Sequence, residues 1–311
     1  MGSAAFLAPA AFARSPESLA RAWSAEEGRE YTRWLATNHY ENFHVVSFLL
    51  PKRLHQDFYN VYAYCRWADD LADEIGDTAE SLRLLAWWRG ELDAMYAGRA
   101  THPVFAALGP TVAQYGIPRQ PFSDLLDAFV QDQTVTRYRN WDELFGYCRN
   151  SANPVGRLIL YLGGYSDEAR QRLSDATCTA LQLANFWQDV TVDLLKDRVY
   201  IPLEVMERHG YTVQELFARR FTPACKAVMR EVVDHAHELF LKGLPLSGMV
   251  DRRLAIDLDL FSRGGMRVLE KIRQQGYDVL GARPAVSKLE RVRLLLGSVA
   301  RMTFSGGRRA A

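Results

Sequence analysis

The sequence predicts an all-α protein, and three observations support this prediction. Apolar residues recur at three- and four-residue spacing along almost the whole chain. No alternation of apolar and polar residues is long enough to indicate a strand. Glycine and proline stand where one helical run ends and the next begins, as at Gly163-Gly164 and Pro284. The simplest interpretation is one helical domain.

The predicted helices follow one another with short connections. Gly76 ends one helix, and Asp77-Thr78 caps the next, because these side chains accept hydrogen bonds from free N–H groups of a first turn. Pro202 begins or ends an element because proline has no backbone N–H. The pattern predicts helices near 26–38, 52–75, 78–97, 103–115, 120–133, 141–150, 154–163, 167–197, 212–219, 223–243, 249–276 and 286–303.

Composition and charge argue against several classes of protein. Of 311 residues, 48% are hydrophobic and 24% are charged, and the formal net charge is +1. Nucleic-acid-binding proteins usually carry a basic excess, so this balance argues against that class. The cysteines are isolated in sequence and predict reduced thiols in a cytoplasmic protein. They are Cys65, Cys148, Cys178 and Cys225.

No run approaches the roughly 20 apolar residues that cross a bilayer. In the Ala-rich start, the first basic residue, Arg14, follows the apolar part, which is the reverse of a secretory signal. We expect residues 1–24 to form a loose N-terminal lead and residues 25–305 to form the folded domain. We expect a cytoplasmic protein whose only membrane contact is peripheral, on the inner face.

A basic amphipathic pattern near the C-terminus is the candidate for that contact. Leu289, Val292, Leu296 and Val299 share one side of the predicted helix. The basic residues around them are Lys288, Arg291, Arg293 and Arg301. Such a helix can lie on anionic lipid, and the same pattern equally suits a terminal helix packed on the domain.

The stretch CRWADDLADE, residues 65–74, places four carboxylates in ten residues of an otherwise apolar helix. Asp69 and Asp73 are four residues apart, so they are separated by about 40° around the helix and about 6 Å along it. Like charges at this spacing destabilise an isolated helix by a few tenths of a kcal/mol. Either water or a bound cation can offset the repulsion, so a solvated acidic face and a cation site both stay open.

A second stretch, LQLANFWQDVTVDLLKDRVYIP, favours the cation site. Its polar positions fall within an arc of about 80° on a helix whose other residues are mostly apolar. They are Gln182, Asn185, Asp189 and Asp193. Polar oxygens on an enclosed helix need partners. Two Asp-x-x-x-Asp helices supply the hard oxygen ligands that Mg²⁺ prefers, and Mg²⁺ commonly completes its coordination with substrate phosphates.

Basic residues beside both stretches suit a phosphate. Arg66 precedes Asp69 by three residues and so lies on the same side of the helix. Lys196 and Arg198 follow Asp193 closely. Arginine can bind phosphate through two parallel hydrogen bonds, and lysine acts as a point charge. For Lys196 and Arg198, ordinary capping of a helix C-terminus is an equally good explanation.

These stretches resemble the squalene/phytoene synthase family of head-to-head prenyl synthases, from about Thr32 to Arg283. The resemblance rests on VYAYCRWADDLAD, on LQLANFWQDVTVDLLKDRVYIP, on NFHVVSFLLP and on YCRNSANPVG. It implies a single-domain isoprenoid synthase helical bundle with a central apolar cavity. It also implies that two aspartate motifs hold Mg²⁺ on the diphosphate of a prenyl diphosphate substrate.

The resemblance assigns roles to individual residues. Catalysis would fall to Asp69, Asp73, Asp189, Asp193, Arg66 and Tyr62. Metal binding would fall to Asp69, Asp73, Asn185, Asp189 and Asp193. Substrate contacts would come from His39, Tyr40, Glu41, Asn42, Phe43, Gln182, Gln188, Lys196, Arg198 and Gly265. Asp70 and Glu74, about 100° from the metal pair, would support the site or face solvent.

Departures from the common family pattern indicate a branch. Asn42-Phe43 replaces Ser-Phe, Gln188 replaces an arginine, and Gly265 replaces a tyrosine, which would open room for a water near the substrate. ENF, SANPVG and NFWQDV resemble the bacterial hopanoid-pathway members that convert presqualene diphosphate into hydroxysqualene. That implies a Mg²⁺-dependent reaction without NADPH and functional coupling to other enzymes of the pathway.

Two alternatives stay open. One is head-to-head condensation of two farnesyl or geranylgeranyl diphosphates to presqualene diphosphate, squalene or phytoene. The other, from a different class, is a non-catalytic assembly protein of the same fold. Such a protein would be expected to lose the metal aspartates, whereas Asp69, Asp73, Asp189 and Asp193 are all present.

Overall fold

The computed structural model describes residues 6–38 and 51–304, apart from the side chains of Ala300 and of residues 302–304. Of the described residues, 75% are helical and none lies in a strand. The prediction of an all-α fold is confirmed. None of the helices in the described ranges is long and apolar enough to cross a membrane.

The chain divides into two compact units. The first comprises residues 1–134 and 157–165, so far as they are described. Its helices are α1 (Pro9–Phe12), α2 (Pro16–Ala20), α3 (Ala25–Asn38), α4 (His55–Asp73), α5 (Thr78–Tyr96), α6 (Pro103–Tyr115) and α7 (Gln120–Gln131). The second comprises residues 135–156 and 166–311, again so far as they are described.

The second unit holds most of the remaining helices. They are α8 (Trp141–Ser151), α10 (Glu168–Gln188), α11 (Val190–Asp193), α12 (Leu203–Arg208), α13 (Val213–Phe217), α14 (Pro223–Gly243), α15 (Arg252–Gln274) and α16 (Lys288–Phe304). One further helix, α9 (Asn153–Leu162), has its first residues in the second unit and the rest in the first.

The core of the first unit forms around α4, which packs against α3, α5, α6 and α7. Trp67 on α4 stacks on Trp88 of α5 with ring centroids 4.8 Å apart, and both side chains are fully buried. Two buried indoles in parallel contact contribute a large apolar area and a favourable ring geometry. This packing fixes α4, so the opposite side of that helix is held in a defined direction.

Residues 6–24, for which the sequence predicts a loose lead, contain the two short helices α1 and α2. Phe12 is 1% exposed, and its ring lies nearly perpendicular to that of Trp67, with ring centroids 5.2 Å apart. The Tyr31 hydroxyl donates to the carbonyl of Leu7 at 3.0 Å. The predicted boundary near residue 24 stays a prediction.

In the second unit α10 packs against α14 and α15. The single helix predicted over 167–197 is wrong in one respect, because it breaks at Asp189, whose φ is −105° and ψ 15°. The chain continues as α11 and a 3₁₀ turn, Leu194–Lys196, and ends in the left-handed conformation at Asp197. The Phe186 and Tyr200 rings then stack at 3.7 Å, so the chain folds back on α10.

Candidate active site

The first aspartate motif lies on the side of α4 turned away from the core. Ala68, Leu71 and Ala72 are buried, whereas the side chain of Asp69 is 47% exposed and Asp73 is exposed. The apolar side of the helix determines this orientation, because the residues that fill the core leave the opposite arc to solvent. Asp69 and Asp73 therefore present their carboxylates from one face, as the four-residue spacing predicts.

Arg66 is the centre of charge on this helix. Its guanidinium pairs with Asp69 at 3.4 Å, with Asp70, and with Glu74 at 2.9 Å. Asp70 is 2% exposed, so its burial raises the pKa of its carboxyl to about 7 against the opposing charge of Arg66. A guanidinium has five N–H donors. The ion pair with buried Asp70 therefore holds the Arg66 guanidinium beside Asp69.

Tyr62 lies one helical turn before Arg66 and is half-buried. Burial raises the pKa of its phenol to about 12, with smaller contributions from Asp70 and Asp69. The phenol therefore keeps its proton at neutral pH and is able to donate a hydrogen bond to an anion.

The second aspartate motif lies at the break after α10. Gln182 is partly buried, Asn185 is exposed, and the side chain of Asp189 is 28% exposed. Burial and then the negative charge of Asp189 raise the pKa of Asp193 to about 7. Two carboxylates that repel one another in a partly buried turn are what a hard cation would stabilise. The donor set, carboxylate and amide oxygens, fits Mg²⁺.

Two residues far along the chain reach this motif. The Arg283 guanidinium donates to a carboxylate oxygen of Asp189, and the Gln188 amide donates to the carbonyl of Pro284 at 2.6 Å. The sequence analysis missed Arg283 as a site residue, because 94 positions separate it from Asp189 and no spacing rule connects them.

Lys196 and Arg198 both lie near the second motif. Their charges lower the pKa of Asp193, although less than burial raises it. The backbone N–H of Arg198 donates to the carbonyl of Asp193 at 3.0 Å and closes the turn. The two explanations offered by the sequence, phosphate binding and helix capping, therefore both stay open.

Gly265 lies on α15 and is buried, but the room expected there is absent. A Cβ at this position would lie 2.2 Å from Cζ of Phe240 and 3.0 Å from Cδ2 of Leu181. The ring of Phe240 on α14 already fills the volume that the missing side chain leaves. The expectation that Gly265 opens space for a water is therefore wrong, because glycine here permits close helix packing.

Five of the predicted site residues fall in a part of the chain that the structure does not describe. His39, Tyr40, Glu41, Asn42 and Phe43, predicted to contact substrate, lie outside the described residues. Within the ranges that are described, no group of three or more His, Cys, Asp or Glu side chains is arranged to hold a metal. Each Asp-x-x-x-Asp pair, Asp69 with Asp73 or Asp189 with Asp193, by itself offers two carboxylates.

Comparison with known proteins gives a consistent result. A family model described as Squalene/phytoene synthase matches residues 36–290. A hydroxysqualene synthase of Rhodopseudomonas palustris is 33% identical over 279 residues, 87% of this chain and 93% of that protein. A phytoene synthase of Thermus thermophilus is 34% identical over 258 residues, 83% of this chain and 87% of that protein.

Among solved structures, the squalene synthase HpnC from Alicyclobacillus acidocaldarius is similar to this chain. It shares 42% sequence identity with a TM-score of 0.79, over 86% of this chain and 99% of that one.

Proposed function

Because the chain belongs to the squalene/phytoene synthase family, we propose that it converts presqualene diphosphate into hydroxysqualene and releases diphosphate. The similarity to a hydroxysqualene synthase supports this reaction. The observation that carries it is Gln188. Family members that condense two diphosphates commonly have an arginine at this position, whereas here a neutral amide donates to the carbonyl of Pro284. A neutral side chain binds a second diphosphate more weakly than a cation does.

The reaction needs a cation at the diphosphate. We assign Mg²⁺ binding to Asp69 and Asp73 in the first motif and to Asn185, Asp189 and Asp193 in the second. When bound, Mg²⁺ would act as a Lewis acid that neutralises the charge of the leaving diphosphate. Since Asp189 also pairs with Arg283, metal binding would compete with that ion pair.

The chain's own donors act on the same anion. Arg66, held beside Asp69 by its buried partner Asp70, supplies a fixed positive charge for the diphosphate. Tyr62 keeps its proton and donates a hydrogen bond. Both stabilise charge that develops as the C–O bond breaks and its electron pair leaves with the diphosphate. The oxygen of one water molecule then attacks the rearranged carbocation and forms the C–O bond of the alcohol. One proton of that water passes to solvent or to diphosphate, so no reductant is needed.

One alternative rests on a specific observation. The phytoene synthase of Thermus thermophilus is as similar to this chain as the hydroxysqualene synthase is, at 34% identity. Under this alternative the chain would condense two farnesyl or geranylgeranyl diphosphates. A non-catalytic assembly role is disfavoured, since all four motif aspartates are present.

We also propose that α16 contacts the surface of a membrane. Leu289, Val292 and Leu296 are 60%, 51% and 64% exposed, on a helix that carries several basic residues. The proposed product is an apolar alcohol that partitions into lipid. A cytoplasmic enzyme bound to the inner face of the membrane would release this product directly into the bilayer. Other enzymes of the hopanoid pathway would then be able to take it up from the membrane.

Product analysis tests the reaction. The purified protein is incubated with presqualene diphosphate and Mg²⁺, without NADPH, and the extract is examined by mass spectrometry. We expect hydroxysqualene, and little or no product from farnesyl diphosphate alone. A parallel incubation with a chelator in place of Mg²⁺ is the control. Efficient formation of presqualene diphosphate, squalene or phytoene from the simple prenyl diphosphates would favour the condensing alternative.

A further inference from the structure

A pocket of about 520 Å³ lies among α14, α15 and α16 in the second unit. None of its lining residues belongs to either aspartate motif. Five arginines contribute to the lining, against two glutamates, Glu270 and Glu290. The arginines are Arg263, Arg267, Arg273, Arg293 and Arg301.

Two acids in and beside this pocket, Asp259 and Glu290, are each shared by two cations. Asp259, which is 2% exposed, accepts from Arg263 at 2.8 Å and from Arg301 at 2.7 Å. Glu290 pairs with Arg267 at 2.5 Å and with a lysine, Lys271, at 2.7 Å. Arg273 pairs in addition with Asp234 at 2.9 Å. The cluster then has six cations, the five arginines and Lys271, against four acids, Asp234, Asp259, Glu270 and Glu290, so it keeps a positive excess. That excess favours an anionic ligand.

Arg293 is the member of the cluster that is free to bind. It is exposed, and within the part of the chain that the structure describes it has no ion pair or side-chain hydrogen bond. At about 100° per residue, Arg293 lies about 60° from Glu290, which lines the pocket, and about 60° from Leu296 on the other side. Arg293 therefore stands at the edge between the pocket and the exposed apolar side of α16.

That position relates the pocket to a lipid surface. An amphipathic helix buries its apolar face about 5–10 Å into the boundary between headgroups and acyl chains. If Leu289, Val292 and Leu296 enter that boundary, Arg293 and the mouth of the pocket lie at the level of the headgroups. Arginine binds phosphate oxygens through two parallel hydrogen bonds, which suits it to this position.

We propose that this pocket binds the phosphate of an anionic phospholipid headgroup when α16 lies on a membrane. The inference rests on the surface contact proposed above and is independent of the reaction. A free phosphate would account for the arginines, but it would leave the exposed apolar residues at the pocket mouth without a role. A phospholipid accounts for both features.

Vesicle sedimentation with the full chain tests the proposal. Vesicles contain phosphatidylcholine alone or phosphatidylcholine with phosphatidylglycerol, at low and at physiological ionic strength. The informative variant is Arg293→Glu, and its matched control is Arg291→Glu. Both positions are exposed on α16 and the charge change is the same, but Arg291 lies about 160° around the helix from Arg293. A third variant, Leu296→Ser, tests the apolar contact.

We expect phosphatidylglycerol to strengthen binding of the unaltered protein. Arg293→Glu should reduce binding to these vesicles by about fivefold or more, since each basic residue near an anionic surface contributes about that factor. Arg291→Glu should retain binding within about twofold, and Leu296→Ser should weaken binding to both kinds of vesicle.

Three results would overturn the proposal. Equal losses in Arg293→Glu and Arg291→Glu would indicate diffuse attraction and no headgroup site. Binding of inorganic phosphate in calorimetry that depends on Arg293, together with no effect of phosphatidylglycerol, would indicate a site for the free anion. Absence of binding to any vesicle would remove the membrane contact and the pocket assignment together, while the product assay would still report on the reaction.

Discussion

A single buried carboxyl group outside both aspartate motifs should make the stability of this protein depend on pH. Asp257 on α15 is 3% exposed, and neither of its carboxyl oxygens has a hydrogen-bond partner among the described residues. Burial raises the pKa of Asp257 to about 8, and the charge of Asp251 adds to the shift. The folded protein therefore holds a proton on Asp257 at neutral pH, because ionisation in an apolar environment is unfavourable.

The sign of the effect follows from proton binding. In the unfolded chain the pKa of Asp257 returns to its ordinary value of 3.8. Between that value and about 8 the folded state binds one proton more than the unfolded state, so stability falls as pH rises through this window. At about 1.4 kcal/mol per pH unit, the loss amounts to roughly 4 kcal/mol near pH 7 and roughly 2 kcal/mol near pH 5.

Replacing Asp257 with asparagine isolates this contribution. Asp257→Asn keeps the size of the side chain and removes the ionisable group, so the variant should gain stability relative to the unaltered protein. The gain should be about 2–3 kcal/mol larger near pH 7 than near pH 5. Urea unfolding of both proteins at the two pH values measures the difference. The penalty for burying an amide without partners is common to both pH values and cancels.

An equal stability difference at both pH values would refute this reasoning. It would mean that Asp257 is not protonated in the folded state near pH 7, and that a positive partner or solvent stabilises its carboxylate.

Three further predictions concern the site and its surroundings. Asp69→Ala and Asp189→Ala should each abolish turnover, since these carboxylates are proposed to hold Mg²⁺. The helical circular dichroism should stay unchanged, because loss of either carboxylate relieves repulsion. Near-normal rates in both variants would exclude the metal assignment. Gly265→Ala should lower the free energy of unfolding by about 1–3 kcal/mol, because its Cβ would lie 2.2 Å from the Phe240 ring; an unchanged denaturation midpoint would contradict that packing. Arg66→Met should lower the free energy of unfolding by about 3–5 kcal/mol, because it leaves buried Asp70 without its counter-ion. Adding Asp70→Asn should recover most of that stability. A double variant no more stable than Arg66→Met would argue against the ion pair.

The sequence by itself predicts most of what depends on local periodicity. The helix predicted over 103–115 appears as Pro103–Tyr115, and the one over 223–243 as Pro223–Gly243. The common face of Asp69 and Asp73 follows from 3.6 residues per turn together with the apolar residues opposite them. The two aspartate motifs, together with NFHVVSFLLP and YCRNSANPVG, also identified the family, which the family model then confirmed.

Tertiary structure decided the features that depend on residues distant in sequence. The break at Asp189 lets the chain return onto α10, where Tyr200 stacks on Phe186. The helix Leu203–Arg208, which the sequence did not predict, follows that return. Arg283 reaches Asp189 across 94 positions.

The same holds for the surroundings of Gly265 and for the basic pocket. The volume beside Gly265 is filled by Phe240 from a neighbouring helix, and residues of α14, α15 and α16 together line the pocket. Helical periodicity specifies which side of a helix is apolar, but it does not specify which distant residue packs against that side. Those pairings form only when the helices pack, because they depend on the shape and charge of surfaces that no local stretch of sequence contains.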